Sequence, residues 1–430
     1  MTISRILHAG YLFQSNETQI IFDPIFENPF SRNCYSFPEI EFNYDEIQKL
    51  NLDAIFISHF HDDHCSFESL NLLDRNIPIY IFCIFPEMID WLNQLGFHRV
   101  YPLKLNKSVY INDFEIITRR ALDESVDSIF QIKGDGLNIL NVVDSWIDYE
   151  TMELLCSEKP FDLILWPFQT MREIQVLSPE SYRNELPEIP SEWIEQLKQL
   201  QPRCIIPSSC QFKFEEWSWY NQAFFPITYK FFKEEINKAL PESLIVRLDP
   251  GYSLELNTDS VQSAHSISWI KRLNEAQQDY EYLPHIDAPT TREVAKKLPR
   301  VSNDEKELIF NFCNQEIFDR FKLIDFEFPN LYWNLKLFDE EGVEYSFHYK
   351  IQKNILSKML DEYVVAWKTE IPIVKLYGAL QQGESLTSLY IRIQAPDGFD
   401  VMDDPLLKTL FSNEFGTYQK SQLQKIKDTQ

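Results

Sequence analysis

Three histidines and an aspartate fall within one short turn, residues 59–64, which reads HFHDDH. The turn follows an apolar run, residues 52–58, that is short enough to be a buried strand. Loops held by a rigid scaffold are where binding and catalytic side chains concentrate. Neutral imidazoles together with a carboxylate suit zinc, iron or another borderline divalent ion. The spacing H-x-H-x-D-H therefore predicts a metal site just past the end of a strand.

An isolated histidine is ordinarily a surface or half-buried residue with no functional role. The whole chain has eight histidines, and three of them lie in this one turn. Chance produces such a cluster, with an aspartate at fixed spacing, in only about one chain of this size in a few thousand. We therefore interpret the histidines of the turn as metal ligands.

The composition limits the classes of function that are open to the chain. At 430 residues, with 44% hydrophobic residues, it is long enough for two domains with real cores. The net charge of −26 argues against nucleic acids and anionic membranes as partners, because those reward a basic surface. Neither G-x-G-x-x-G nor a Walker motif occurs. A small-molecule substrate is the expected partner.

Cysteine usage and the first residues predict a cytoplasmic protein. The seven cysteines are scattered and contain no C-x-x-C pair, which is typical of a reduced chain without a disulfide framework. The first residues carry no long apolar segment, so we expect no signal peptide. No stretch approaches the length needed to cross a bilayer, and we expect no membrane insertion.

A second region with candidate ligands ends at Asp144. Residues 128–133 and 137–143 are predicted strands around the turn Gly134-Asp135-Gly136, which is a strong hairpin signal. Asp144 closes the second of these strands, so its carboxylate is expected on the face to which the first turn points. An aspartate at a strand end is also a common turn residue, which leaves an ordinary structural role open.

The spacing H-x-H-x-D-H after a strand resembles the metallo-β-lactamase superfamily. The resemblance implies that His59 and His61 hold one metal, that Asp63 and His64 hold a second, and that Asp144 bridges the two. Either one ion or two would then bind; zinc is the first expectation, with iron or manganese as alternatives.

The opening of the chain sharpens this resemblance. Residues 8–13 read HAGYLF, and residues 20–24 read IIFDP. Both stretches are similar to the branch of the superfamily that includes L-ascorbate-6-phosphate lactonase, although Leu7 stands where that branch usually has glycine. His8 is then either a support for the site, a substrate contact or a purely structural residue.

The resemblance implies an α/β fold, the αββα sandwich of the superfamily, over residues 1–260. Residues 261–299 are predicted to be a linker, and residues 300–430 a smaller C-terminal α+β domain. The C-terminal part loosely resembles that of CMP-N-acetylneuraminate-hydroxylase-like members. The sequence lacks the C-x-H and C-x-x-H pair of the Rieske iron–sulfur module that such hydroxylases carry.

The chain departs from the family pattern at two further histidine ligands. Where the third histidine is expected, the sequence offers the acids Asp123, Glu124 and Asp127, of which we predict Asp123 and Glu124 as ligands. Carboxylate ligands shift metal preference toward harder ions such as iron or manganese. In a chain this acidic the same residues are equally consistent with an ordinary loop.

The last histidine of the family pattern is also missing. The turn at residues 208–211 offers Ser208, Ser209, Cys210 and Gln211 in its place. Cys210 is either a thiolate ligand or, as we favour, a small buried residue. His265 is the remaining candidate to return to the site.

Metal-activated water is the chemistry that this arrangement predicts first. A bound ion would make a hydroxide nucleophile available, and Asp63 and Asp144 are the predicted catalytic carboxylates. Suitable substrates are small esters, lactones, amides or phosphodiesters. An iron-dependent oxygenase is the first alternative because of the missing histidines, and a degenerate metal-binding scaffold is the second. The substrate and the oligomeric state are not determined by the sequence.

Overall fold

The computed structural model describes residues 1–181, 186–274, 277–283, 286–326, 330–359, 366–397, 399–411 and 415–429. Within these residues the strands are β1 Thr2–Arg5, β2 Tyr11–Ser15, β3 Thr18–Phe22, β4 Tyr35–Ser36, β5 Ile40–Phe42, β6 Ala54–Ile57, β7 Ile79–Ile81, β8 Val100–Pro102, β9 Ser108–Ile111, β10 Phe114–Arg120, β11 Ser128–Gly134, β12 Leu137–Asn141, β13 Leu163–Pro167, β14 Cys204–Ser208, β15 Phe212–Lys213, β16 Leu244–Ile245, β17 Ser253–Leu256, β18 Val261–Ala264, β19 Ile270–Arg272, β20 Asn330–Phe338, β21 Glu344–Gln352, β22 Ile355–Lys358, β23 Trp367–Pro372 and β24 Arg392–Gln394. The helices are α1 Tyr44–Ile47, α2 Phe67–Leu70, α3 Glu87–Gln94, α4 Tyr149–Ser157, α5 Glu173–Leu177, α6 Ser191–Leu200, α7 Tyr220–Ala223, α8 Tyr229–Ala239, α9 Thr291–Ala295, α10 Asn303–Asn311, α11 Ile317–Phe321, α12 Ile373–Gln382, α13 Pro405–Phe411 and α14 Thr417–Thr429.

Two large sheets face each other in the first part of the chain. One has eight strands in the order β18-β17-β1-β2-β3-β6-β7-β8, and the other has seven in the order β16-β14-β13-β12-β11-β10-β9. Side chains from both sheets, such as Phe13 and Phe56 from the first and Phe130 from the second, form a common buried core. Helices cover the outer faces through buried residues such as Leu92 and Leu197. This arrangement confirms the αββα sandwich.

Strand β6 shows why the first motif lies where it does. All four of its residues are buried, because β6 runs parallel to β3 on one side and β7 on the other within a covered sheet. The apolar run must stop where the chain leaves the sheet, and residues 59–64 follow at that point. Strands β12, β13 and β14 also run parallel to one another in the second sheet. Their carboxyl ends deliver Asp144 and the residues 209–211 to the same place.

Residues 261–272 correct the predicted linker. Strand β18 pairs antiparallel with β17 at the edge of the eight-stranded sheet, and β19 pairs with β5. This stretch therefore extends the metallo-β-lactamase-like half instead of connecting it to another unit. The polar composition of the stretch fits an edge strand, whose outer side meets water.

The C-terminal part forms a separate five-stranded sheet with the order β22-β21-β20-β23-β24. Its own buried core includes Trp333, Ile351 and Trp367, together with residues from helices α10 to α13. Helix α14 packs against α12 of this unit and also contacts helices α2 and α3 of the first half. In the described part of the chain, no helix is long and apolar enough to cross a membrane.

Candidate metal centre

Side chains from distant parts of the sequence meet at the carboxyl ends of the parallel strands. His8, Asp63, His64 and Asp144 form one group, and His59, His61 and Asp127 form a second. Within each group the potential ligand atoms all lie within 4.8 Å of one another. Two such neighbouring groups have the donors that one or two divalent ions require.

The group at His59 offers two imidazoles and a carboxylate. His59 Nε2 lies 3.0 Å from His61 Nδ1 and 3.7 Å from Asp127 Oδ1. Asp144 Oδ1 lies 4.0 Å from the same His59 Nε2. That Asp144 oxygen is buried and has no hydrogen-bond partner, which is costly for a carboxylate. A cation held by this group would satisfy it, so the residues present fit a metal.

The other carboxylate oxygen of Asp144 faces the second group. Asp144 Oδ2 lies 3.1 Å from His64 Nε2, and Asp63 Oδ1 lies 3.7 Å from the same nitrogen. Asp144 therefore reaches both groups with different oxygens. The bridging role that the resemblance implies for Asp144 stays a prediction.

Asp23 orients the ligands from behind. Its side chain is fully buried and accepts hydrogen bonds from the Ser58 backbone N–H at 2.7 Å and from the Ser58 hydroxyl at 2.7 Å. It also accepts from His64 Nδ1 at 2.9 Å, which leaves His64 Nε2 directed into the site. Ser58 Oγ is 2.9 Å from His59 Nδ1 and fixes that ring in the same way. Such supporting hydrogen bonds are the rule around metal-binding histidines.

Left-handed backbone conformations concentrate around the centre. His8, Asp23, Val143, Ser209 and Cys210 have φ values of +51°, +42°, +64°, +56° and +48°. Val143 is the most demanding case, because β-branched residues rarely adopt positive φ. It immediately precedes Asp144, and its N–H is held by Asn141 Oδ1 at 3.0 Å. Strain of this kind is retained at functional sites when the surrounding structure fixes it.

Mutual electrostatics set the protonation of the ligands in the absence of a cation. Burial, followed by the neighbouring imidazoles of His64 and His61, holds the pKa of His59 well below its usual value. Burial opposes the charge on His64, but the carboxylates of Asp144 and Asp63 outweigh it and raise the pKa of His64 well above its usual value. Burial and then Asp144 raise the pKa of Asp127 to about 6. A cation that binds here must therefore displace a proton from His64.

The centre is open on one side. The rings of His8, His59 and His64 are buried, whereas His61 is exposed. The side chains of Asp63 and Asp144 are 24% and 21% exposed, so the carboxylates line the solvent-facing side. A substrate approaching from solvent meets the carboxylates and His61 first.

Helix α14 holds the backbone of the metal turn, residues 59–64, on the side away from the ligands. Gln419 Nε2 donates to the carbonyl oxygens of Phe60 at 2.7 Å and Cys65 at 2.9 Å. Gln422 accepts from the Phe67 N–H at 2.7 Å and donates to Ser66 Oγ at 3.0 Å. The C-terminal part thus satisfies polar groups on the far side of the turn, a role for which no pattern in the sequence is a signal.

Two acids that were predicted as ligands do not join the centre. Asp123 is exposed, and its carboxylate accepts from the Ser125 hydroxyl at 2.7 Å. Glu124 is also exposed and pairs with Arg120 at 3.1 Å. They lie at the outer tip of the loop between β10 and β11. Asp127, at the start of β11, is the acid of this stretch whose side chain turns inward.

The other candidates also occupy definite places. Cys210 is buried, its thiol pKa is raised first by burial and then by Asp144, and it belongs to neither group of candidate ligands. Its backbone N–H donates to His8 Nδ1 at 3.0 Å. His265 and His98 are exposed and lie outside both groups. His8, whose role the sequence left open, takes part in the second group instead.

Comparison with known proteins agrees with the geometry. Residues 2–209 match the family model described as "Beta-lactamase superfamily domain". The cytidine monophosphate-N-acetylneuraminic acid hydroxylase of Danio rerio is 27% identical over 153 residues, which are 34% of this chain and 26% of that protein. The human protein named inactive cytidine monophosphate-N-acetylneuraminic acid hydroxylase is 28% identical over 150 residues, which are 33% of this chain and 30% of that protein. The chain thus spans less than a third of the length of these curated relatives.

An isothiocyanate hydrolase from Delia radicum gut bacteria is 14% identical and aligns with 61% of this chain and 100% of its own, with a TM-score of 0.44. The resemblance to the lactonase branch, inferred from the opening residues, stays a prediction.

Proposed function

We propose that this protein is a metal-dependent hydrolase that acts on a small ester, lactone, amide or phosphodiester. Its residues 2–209 form a domain of the metallo-β-lactamase superfamily. The observation that carries this proposal is the bridging geometry of Asp144. One of its oxygens lies 3.1 Å from His64 Nε2, and the other is a buried oxygen without a hydrogen-bond partner near His59. A bridging carboxylate between two donor groups supports a centre for two cations.

The donor set assigns each residue a task. His59, His61 and Asp127 would hold one ion, Asp63 and His64 would hold the other, and Asp144 would contribute an oxygen to each. When bound, divalent ions lower the pKa of coordinated water toward neutrality and polarise a carbonyl or phosphoryl oxygen. Asp63, on the solvent-facing side, takes up the proton and passes it to the leaving group.

The supporting residues keep this machinery in place without taking part in the reaction. The buried Asp23 carboxylate holds His64 with Nε2 inward, and Ser58 does the same for His59. The degenerate scaffold is the weaker alternative, because four imidazoles and three carboxylates converge within this one centre.

The test begins with protein purified without added metal. Elemental analysis is expected to show one or two divalent ions per chain, and chromogenic lactone, ester, amide and phosphodiester substrates are expected to include one that is hydrolysed. Asp144→Asn should abolish that hydrolysis while the circular dichroism spectrum is unchanged. Asp123→Asn, at an exposed acid of the same region, is the matched control. Metal-free native protein, or full activity of Asp144→Asn, would overturn the proposal.

An iron-dependent oxygenase is the second candidate, and Asp127 is the observation that favours it. Where a histidine is expected, this carboxylate gives the first group two nitrogens and one oxygen, a donor set suited to non-haem iron. The similar protein of Danio rerio is also named a hydroxylase, and the human one is named an inactive hydroxylase. Oxygenation would require dioxygen and an external two-electron donor. Protein that carries only zinc and consumes no dioxygen with a chemical reductant would exclude this candidate.

A further inference from the structure

We propose that His8 is not a metal ligand but a positioning residue. Its ring carries the proton on Nε2 and donates a hydrogen bond from that nitrogen to Asp63. The inference rests on the proposed metal centre, and it concerns which of the seven converging side chains bind an ion. His8 lies within ligand distance of the second group, so its proximity alone would suggest a ligand. The hydrogen bond at its other ring nitrogen decides otherwise.

The Cys210 backbone N–H points at His8 Nδ1 at 3.0 Å. A nitrogen that accepts from an N–H must present its lone pair, so the proton of the neutral ring lies on Nε2. A metal-binding histidine has the opposite pattern: it coordinates through one nitrogen and donates a proton from the other. His64 has that pattern, because its Nδ1 faces the Asp23 carboxylate at 2.9 Å. His8 and His64 therefore contribute in different ways.

The proton on His8 Nε2 has an acceptor within reach. Asp63 Oδ2 lies 3.1 Å from it, His64 Nε2 lies 3.2 Å from it, and Asp144 Oδ2 is 3.9 Å away. His64 Nε2 is the nitrogen assigned to the ion, and a charged carboxylate forms the stronger hydrogen bond, so Asp63 is the acceptor. With Oδ2 engaged by His8, Asp63 presents Oδ1 on the side of His64, 3.7 Å from the Nε2 of that ring. The donated hydrogen bond thus turns Asp63 into a ligand that binds through one oxygen.

The ring of His8 is held in one orientation by its surroundings. It is 1% exposed and packs against Phe30 and Phe212, with ring centroids 5.6 Å and 5.9 Å away. Its carbonyl oxygen accepts from the buried guanidinium of Arg5, which fixes the left-handed backbone at this residue. In the same turn Gly10 leaves no space for a side chain, because a Cβ there would lie 2.8 Å from the Asp23 carbonyl oxygen.

His8 therefore does not take over the ligand role of the missing last histidine of the family pattern. The second group retains Asp63, His64 and the shared Asp144 as ligands, so it has one imidazole and two carboxylates. We expect it to bind its ion more weakly than the group at His59.

Two substitutions at His8 separate the donor from the ligand role. In His8→Gln the amide N–H₂ reaches the position of Nε2 and can still donate to Asp63. In His8→Asn the amide oxygen replaces Nδ1 and can still accept from Cys210, but no donor reaches Asp63. Zinc titration of each variant is followed by calorimetry, and hydrolysis is measured with the substrate identified for the native chain.

His8→Gln is expected to bind both zinc equivalents and to retain activity within about threefold, whereas His8→Asn should lose about 10- to 100-fold in affinity for the second equivalent only. Loss of the second equivalent in His8→Gln as well would show that His8 is a ligand. These titrations decide the role of His8 even if no substrate is hydrolysed. Failure of the proposed function can therefore be distinguished from failure of this inference.

A measurement on the native chain guards against misfolded variants. Nitrogen NMR of protein labelled with ¹⁵N-histidine is expected to show, among the rings that keep an Nε2 proton when zinc is added, a signal that is absent from His8→Gln and is thereby assigned to His8. A His8 signal in which zinc displaces the Nε2 proton would overturn the proposal.

Discussion

The two walls of the metal centre are built in opposite ways. On one wall, residues 59–64 supply His59, His61, Asp63 and His64 from a single turn after strand β6. On the other wall, Asp127 precedes β11 and Asp144 follows β12 at the open end of the β11–β12 hairpin, and His8 comes from the turn between β1 and β2. A contiguous turn carries its geometry in its own spacing, whereas the dispersed wall depends on how the two sheets are packed.

This difference explains which wall contains the left-handed backbone conformations and which residues stabilise each wall. The dispersed wall contains Val143 at φ +64°, whose N–H donates to the nearby Asn141 side chain, and His8 at φ +51°, whose ring accepts from the distant Cys210 N–H. The contiguous wall is held by Asp23 from β3 and by Gln419 from helix α14. The following substitutions probe the two walls in order of expected effect.

His61→Ala should have the largest effect because it removes a ligand of the contiguous wall. Loss of a group that merely supports a ligand lowers metal affinity 10- to 100-fold, so loss of a ligand is expected to exceed about 100-fold. The ring is exposed, so the fold should remain intact. Metal content after gel filtration and the thermal unfolding temperature measure the two effects. Native metal content in this variant would contradict the assignment.

Asp23→Asn should lower metal affinity by about 10- to 100-fold, because the amide supports His64 and Ser58 less well than the carboxylate does. Competitive titration against a chelator of known affinity measures the change. Asp53→Asn is the control, because the Asp53 carboxylate also accepts a hydrogen bond from a backbone N–H, that of Gln19, but lies away from the centre. An equal loss of affinity in both variants would mean that the effect is general destabilisation.

Asp127→His tests the dispersed wall by restoring the histidine of the family pattern. Replacing an oxygen ligand by nitrogen should shift metal preference toward zinc over manganese by about tenfold. Loading from an equimolar mixture of zinc and manganese, followed by elemental analysis, measures the ratio. Asp123→His places the same residue at the exposed loop tip and should leave the ratio unchanged. An unchanged ratio in Asp127→His would place Asp127 outside the centre.

Gln419→Ala should have the smallest effect on the metal and a clear effect on stability. The buried carbonyl oxygens of Phe60 and Cys65 lose their donor, which lowers the free energy of unfolding by about 1 to 3 kcal/mol. Metal affinity should fall by less than about tenfold, since every ligand is still present. Urea unfolding measures the first effect and chelator competition the second. Gln424→Ala, at an exposed residue of the same helix, should change neither.

The sequence by itself determined the contiguous wall and the layered fold. Residues 59–64 could be read directly, because the alternating donors and the preceding apolar strand lie next to each other in the chain. Asp144 was also predictable, since a strand end fixes its position relative to the sheet.

Only the tertiary structure decided which acid replaces the missing histidine. Asp123, Glu124 and Asp127 are alike in type and lie within five positions of one another, so nothing in the sequence separates the loop tip from the strand start. Packing turns Asp127 inward and leaves the other two in water.

The same holds for His8, Asp23 and Gln419. Their partners are 202, 41 and 359 positions away in the chain, counted to Cys210, His64 and Phe60. Spacing rules describe neighbours along a helix or strand. Contacts across such separations follow from the pairing of whole sheets and helices, which is why the chemistry of His8 was left open until its surroundings were known.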